Sequence, residues 1–438
     1  MIILEYKIKA KPHQYLAIDQ AIRTGQFVRN KALRYWMDNK KVNKYDLNKY
    51  CRILAKEYVF ADKLNSTARQ SSAERAWSGI ARFFDNCKKR TAHAEETSAC
   101  GRSKQKVKGK KADATDPSSY GGSHAHQAGY PKFKKHSRSV EYKQSGWKLD
   151  EATKKNITFT DKIGIGRVKL VGSRDIYFYQ PEQIKRVRLV RRADGYYCQL
   201  GISIEVKEDM QPTGKAIGLD MGLKYFYADS NGYIEENPRF YRKSEKRLNR
   251  LNRRKSKKYQ KGKKQSKNYH NARKSYAKLH LKVSRQREEH AKRVARCVCA
   301  SNDCIVYEDL NVRNLVRNRR LSKSISDAGW TQFRKWVEYF GWKFGKITIA
   351  VPPHYTSQDC PACERRIKKS LSTRTHVCEC GYTEDRDIAA SINILKKGLS
   401  TLGHSGSYAW GETPSWAVGV SLSSNGDSLN QESQGAVV

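Results

Sequence analysis

No long apolar run occurs in this chain, and nothing in it approaches the roughly 20 residues that a membrane span needs. The N-terminal Met-Ile-Ile-Leu-Glu-Tyr-Lys meets charge too early for the apolar core of a secretory signal. Acidic residues are scarce, 43 Asp and Glu against 87 Lys and Arg, for a net charge of +44. A surface that basic repels itself unless it lies along a polyanion, so a long nucleic acid is the expected partner and a membrane is not. The 11 cysteines are odd in number and lack the spacing of a secreted disulfide framework. Cys297, Cys299 and Cys304 flank an apolar strand and read as small core hydrophobes in a reducing compartment. A cytoplasmic protein of several compact units is the expectation.

Residues 1–10 alternate apolar and charged side chains and predict a strand. Residues 11–95 predict helices. Within them Asn65 or Ser66 can cap a helix with Ala73, Trp77, Ile80, Ala81 and Phe84 on its apolar face. Gln70, Ser71, Arg75 and Arg82 fall opposite, and the first three suit base edges in a groove. Residues 96–129 form a Lys-, Gly- and Ser-rich insertion without periodicity, expected to be flexible. Over 130–210 alternation returns at Val140–Gln144, Ile157–Thr160, Ile176–Tyr179 and Tyr196–Ile204, with an Asp194-Gly195 turn. A small antiparallel barrel is predicted, to which the N-terminal strand can add.

A second texture covers 211–354. Strand, strand, Asn231-Gly232 turn and strand is how a ribonuclease-H-like α/β sheet begins. Tyr241 to His270 then holds 14 Lys or Arg and one acid, Glu245. A merely solvated helix face needs no such lopsided sign. The run is therefore read as a nucleic-acid track, with Arg250, Arg253, Arg254, Lys257 and Lys258 as candidate phosphate contacts. Helix is predicted over Ala328–Phe344 and a buried strand over Ile347–Val351. Residues 355–383 carry the cysteine segment, 384–400 the last helix of the α/β core, and 401–438 a tail without Lys or Arg, expected to be disordered.

Three acids stand out. Asp220 ends an apolar strand in Ile-Gly-Leu-Asp-Met-Gly, Glu308 ends another in Val-Tyr-Glu-Asp-Leu, and Asp387 opens a helix in Asp-Arg-Asp-Ile. One such acid alone is usually a turn or a cap. Three, brought together, can hold two Mg²⁺ or Mn²⁺ ions at about 4 Å spacing and hydrolyse a phosphodiester. Asp309 and Asp385 are neighbouring decoys, and Asp385 can cap the helix that Asp387 enters. Gly-Leu-Asp-Met-Gly also resembles the first phosphate loop of actin-like ATPases, but the Gly-rich adenosine segment expected there is absent.

Cys360 and Cys363, then Cys378 and Cys380 after 14 residues, suit one structural Zn²⁺. The second pair is one residue short of the common gap, and His376 offers an alternative ligand.

Residues 1 to about 400 resemble the TnpB (OrfB) family of transposon-encoded RNA-guided DNA endonucleases, relatives of type V CRISPR effectors. The resemblance is carried by Ile217-Gly-Leu-Asp-Met-Gly-Leu-Lys, Val306-Tyr-Glu-Asp-Leu-Asn-Val, Ser326-Asp-Ala-Gly-Trp, Thr356-Ser-Gln-Asp-Cys-Pro-Ala-Cys, Asp385-Arg-Asp-Ile and Tyr130-Pro-Lys-Phe-Lys-Lys. It implies a RuvC-type nuclease domain using Asp220, Glu308 and Asp387, interrupted by a zinc ribbon. It also implies a wedge barrel, an N-terminal helical recognition domain, a guide RNA and cleavage of double-stranded DNA beside a short motif. Base pairing would then read most of the sequence. Cys378-Glu-Cys380, Ala389 where the family often has Asn, and the 96–129 insertion depart from the family pattern. Two competing readings are a guide-bound regulator without cleavage and the actin-like ATPase. The number of copies that act together is left open.

Overall fold

The computed structural model describes residues 2–99, 129–173, 176–208, 210–370 and 373–401, with side chains beyond Lys88 left out up to Gly129. Most of the 96–129 insertion and nearly all of the 401–438 tail lie outside the described residues. Two compact units emerge, one within Met1–Glu205 and one beginning at Val206.

The first unit opens with strand β1 (Ile2–Lys9), whose even-numbered residues are all buried. Helices α1 (Pro12–Asp38), α2 (Lys44–Glu57), the single turn α3 (Val59–Asp62) and α4 (Ser66–Ala99) follow. Asn65 starts α4, its Oδ1 accepting from the Thr67 N–H at 2.8 Å. Val28, Leu33, Trp36, Leu47, Leu54, Ala73 and Ile80 make the helical core. Strands β2 (Ser139–Lys143), β3 (Trp147–Leu149), β4 (Asn156–Phe159), β5 (Gly166–Val171), β6 (Ile184–Arg192) and β7 (Gly195–Ile202) then join β1. The seven-stranded sheet runs β2-β6-β7-β1-β5-β4-β3, so the N-terminal strand does enter it, antiparallel to both neighbours.

Two expectations fail here. Ile176–Tyr179 is a turn, not a strand: the Lys154 ammonium donates to the carbonyls of Tyr177 and Tyr179, and Phe178 is left exposed. Two carbonyls of this short segment converge on one amine, a geometry that belongs to a turn and not to an extended strand. In α4 the buried stripe is Ala68, Ser71, Ser72, Ala73, Ala76, Ile80 and Phe83, rotated from the predicted face, with Trp77 and Phe84 half-buried.

The second unit is built on β8 (Ala216–Asp220), β9 (Tyr225–Asp229) and β10 (Ile234–Glu236), the meander expected from the sequence. The basic run becomes two helices, α5 (Phe240–Ser256) and α6 (Lys267–Ser301). After them come β11 (Cys304–Glu308), the short helices α7 (Val312–Leu315) and α8 (Ser322–Ala328), then α9 (Trp330–Phe344) and β12 (Ile347–Val351). A hairpin of β13 (Thr375–Val377) and β14 (Thr383–Asp385) leads into α10 (Arg386–Thr401). The sheet order is β10-β9-β8-β11-β12, with β8, β11 and β12 parallel. β12 is an edge strand in which only Val351 is fully buried, less than predicted.

Period-two alternation explains the layers. Ile217 and Leu219 of β8, with Ile305 and Tyr307 of β11, point into a core shared with Ala295, Phe333, Val337 and Phe340 of α6 and α9. Cys304 and Val306 face the other way, against Ile394, Leu395 and Leu399 of α10. All five residues of β11 are buried, as a strand covered on both faces requires. Gly218 lies on the α10 face, and a Cβ there would sit 2.1 Å from the Ser391 carbonyl oxygen and 2.8 Å from the Leu395 nitrogen. Both are backbone atoms and cannot swing away. Gly218→Ala should therefore cost about 3 kcal/mol, read as a lower melting temperature. A melt within a degree of the parent would show that α10 tolerates the displacement.

Candidate active site and metal ribbon

The same alternation that puts Cys304 and Val306 against α10 puts Glu308 on that face, and in β8 it puts Asp220 there. Tyr307 pairs with Leu219, so the next residues in register are Glu308 and Asp220. Asp387 stands in the first turn of α10, the helix that lies on this face. The three carboxylates predicted from distant points in the chain are thereby brought to one end of one sheet.

Their electrostatics fit a cation site. Burial, then the charges of Glu308 and Asp387, push the Asp220 carboxyl well above its ordinary value. Burial raises Glu308 too, opposed by a hydrogen bond from Thr356 and the charge of Lys397. The Thr356 hydroxyl donates to Glu308 Oε1 at 2.5 Å. Asp387 Oδ1 accepts from Arg386 Nε at 3.2 Å and Nη2 at 3.0 Å, and Arg374 Nη1 lies 4.0 Å from Oδ2. Asp385 caps α10, accepting the Asp387 N–H at 2.8 Å, as expected of it. Asp309 pairs with Arg334 and takes no part.

Burial opposes ionisation of Asp220 and Glu308, with repulsion from Glu308 and Asp387 added at Asp220, and a bound cation would offset both. Three hard oxygen donors suit Mg²⁺ or Mn²⁺. Their oxygens stand wider than the cysteine sulfurs, however. Among the described residues, Cys360, Cys363, Cys378 and Cys380 are the one group of three or more potential ligands whose atoms all lie within 4.8 Å.

In that quartet Sγ of Cys360 is 3.7 Å from that of Cys380, and Sγ of Cys363 is 3.5 Å from that of Cys378. Tetrahedral bonds of about 2.3 Å to zinc imply sulfur separations of about 3.8 Å, so the quartet fits the ion. At Cys360, burial raises the thiol but the backbone N–H groups of Cys363 and Ala362 outweigh it, bringing it down to about 7. A thiolate is thus within reach at neutral pH. His376 is buried, with its Nδ1 against the Lys369 ammonium and its ring against Tyr382. All four thiols are already gathered without it.

The candidate nucleic-acid contacts divide. Arg250, Arg253, Arg254 and Lys257 are exposed on or just beyond α5, whose single fully buried residue is Leu248, and Lys258 is half-buried. Asp327 holds the start of α5, accepting the N–H groups of Tyr241 at 2.8 Å and Arg242 at 3.1 Å. On α4 the exposed face expected of Gln70, Ser71 and Arg75 is not found. Ser71 is only 2% exposed, and the Arg75 guanidinium bonds the Ser139 carbonyl and hydroxyl on β2. The small Ser71 fits inside where a polar face was expected, and Arg75 serves packing between helix and strand. Gln70 and Arg75 both stay partly open, but of the two only Arg75 has its head group tied to β2.

Sequence reasoning assigned no role to Thr356, Asn393 or Arg386. Thr356 lay in a quoted motif, and nothing local marks it as a partner of Glu308.

Fold and site together define a mixed α/β protein in which three carboxylates converge at one end of a sheet and four cysteines cluster closely enough to hold a metal ion. Residues 199–319 match the OrfB family of insertion sequence IS605, described as a probable transposase, and residues 330–394 match the Cas12f1-like TNB domain. A relative from Streptomyces pristinaespiralis, provisionally named RNA-guided DNA endonuclease, is 31% identical over 190 residues, 43% of this chain and 46% of that protein. Another with that provisional name, InsQ of Escherichia coli K12, is 29% identical over 295 residues, 63% of this chain and 70% of that one. A TnpB-like protein of Methanocaldococcus jannaschii is 28% identical over 97 residues, 22% of each chain. The chain is a relative of the TnpB (OrfB) proteins. It spans about half the length of the Streptomyces relative. Among solved structures, a Cas12f1–sgRNA–target DNA complex aligns with a TM-score of 0.47 at 12% identity, over 87% of this chain and 82% of that one. The mini-RNA-guided endonuclease Cas_phi3 aligns with a TM-score of 0.48 at 12% identity, over 91% and 92%. No helix among the described residues is long and apolar enough to cross a membrane.

Proposed function

We propose that this chain is an RNA-guided DNA endonuclease with a RuvC-type nuclease core, cutting double-stranded DNA beside a short transposon-adjacent motif. The observation that carries the reading is the convergence of Asp220, Glu308 and Asp387, with the Asp220 carboxyl pushed up by burial and then by the charges of its two neighbours. Two divalent ions bound there would supply an activated water and charge stabilisation for the leaving oxygen. Asp220 and Glu308 present their oxygens from adjacent parallel strands, and Asp387 adds its own from the start of α10. Arg386 and Arg374 lie beside Asp387, where they would balance its charge or meet a phosphate. The wedge barrel is assigned to the seven-stranded sheet and the recognition domain to α1–α4. The cysteine quartet would hold one structural Zn²⁺, leaving no ligand position for water. A guide RNA supplies the sequence reading by pairing with the target strand.

Purified protein with its copurified RNA should linearise a plasmid carrying the matching target in Mg²⁺ and stop in EDTA. DNA binding without cleavage would favour a regulator, and ATP turnover without cleavage an actin-like ATPase.

The exposed cations of α5 make a separate prediction. Neutralising Arg250, Arg253, Arg254 and Lys257 together should reduce the salt dependence of nucleic-acid binding by about 0.9 log units of slope per lost phosphate contact. Motif choice should not change. An unaltered slope in a filter-binding titration would return α5 to a solvated surface. Gln70 keeps its proposed place as a base-edge contact, whereas Ser71 and Arg75 no longer do.

A further inference from the structure

The segment that leads from β12 into the cysteine ribbon is strapped to α10 by side chains. The Asn393 carboxamide donates to the carbonyl oxygens of Thr356 at 2.9 Å and Asp359 at 2.7 Å. Lys397 and Lys396 donate to the carbonyls of His354 and Pro361. Four carbonyls within eight residues, on both sides of Cys360, are thus fixed to one helix. Asn393 is 6% exposed and Thr356 4% exposed, so the bond between them is shielded from water. The product of this strapping is one hydroxyl, Thr356 Oγ1, aimed at Glu308 Oε1.

We propose that Thr356 is a positioning residue for the divalent-cation site, holding the Glu308 carboxylate through its hydroxyl, with Asn393 holding Thr356. The physical case is that Glu308 is the last residue of its strand, and the Thr356 hydroxyl donates directly to its carboxylate. A donated hydrogen bond to one oxygen fixes the carboxylate plane and leaves the other oxygen for a metal. Threonine suits the task because its branched Cβ restricts χ1. The proposal rests on the carboxylate reading given above and adds to it who orients the second ligand.

The test uses the full-length protein and four substitutions. Thr356→Val removes the hydroxyl while keeping the shape, Thr356→Ser restores it, and Asn393→Asp removes the amide donors while keeping Thr356. Asp220→Asn defines which Mn²⁺ effects belong to this site. Two quantities are read: the rise in melting temperature produced by Mn²⁺ alone, and the Mg²⁺ concentration at half-maximal DNA cleavage. Thr356→Val and Asn393→Asp should raise the half-maximal Mg²⁺ by about 10- to 100-fold, as loss of a hydrogen bond to a metal ligand does, and shrink the Mn²⁺ melting shift. Thr356→Ser should restore both, and zinc content should stay that of the parent throughout. Parental metal dependence in Thr356→Val would overturn the assignment while leaving the carboxylate site standing. Should Thr356→Val fail to fold, Asn393→Asp decides by the same two readings. A parent whose Mn²⁺ shift survives Asp220→Asn would overturn the carboxylate site itself, and this assignment with it.

Discussion

Asp220→Asn and Glu308→Gln should each lower DNA cleavage by about 1000-fold, because a lost metal ligand removes several kcal/mol of transition-state stabilisation. On the proposed reading, binding of guide RNA and target should be nearly unchanged, since the contacts assigned to it lie on the basic surface and not on these acids. A companion measurement separates this from unfolding. The Asp220 carboxyl is raised in the folded protein by burial and by its two acidic neighbours. A raised carboxyl contributes stability that is present below its unfolded value of 3.8 and is lost as pH rises through the folded value. In EDTA at neutral pH the parent therefore bears the cost of keeping this carboxyl among its acidic neighbours, which Asp220→Asn lacks. The variant should melt higher than the parent in EDTA while cutting far less in Mg²⁺. Comparable cleavage by Asp220→Asn in Mg²⁺ would remove this residue from the site.

Cys360→Ser should have the second largest effect, on folding and activity together. Zinc bound by four thiolates contributes about 10 kcal/mol or more to small metal-bound folds, and Cys360 is the completely buried member of the quartet. Metal analysis of the parent should find about one zinc per chain, and the variant should fall well below that. Cleavage should fall with it, because Cys360 is four residues beyond Thr356 and the two share the segment strapped to α10. Cys297→Ser is the matched control: unlike the buried Cys299 and Cys304, with which it was expected in the core, that thiol is exposed and free, so its loss should change neither zinc nor cleavage. Active parent protein without zinc would overturn the ribbon's metal.

What could be foreseen in the chain followed from local periodicity. Alternation located β1, β2, β4, β7 and the β8–β9–β10 meander, and apolar strands ending in acid pointed to Asp220 and Glu308. The cysteine spacing pointed to the quartet. Failures came where a distant partner overrides the local pattern. Ile176–Tyr179 has strand-forming side chains, but the Lys154 amine takes its carbonyls. Ser71 looks like an exposed helix residue, yet the stripe of small residues around it is packed against other elements. The bond from Asn393 to Thr356 links residues 37 apart and the bond from Thr356 to Glu308 links residues 48 apart. No window of sequence contains either pair.

The lateness of α10 in the chain bears on how the protein is made. Until Arg386 and the residues after it have been synthesised, Cys304 and Val306 have no cover on their side of the sheet and Asp220 and Glu308 have no third partner. A polypeptide stopped short of that point would carry the basic helices together with a bare apolar face. Such a fragment is bound for aggregation or proteolysis.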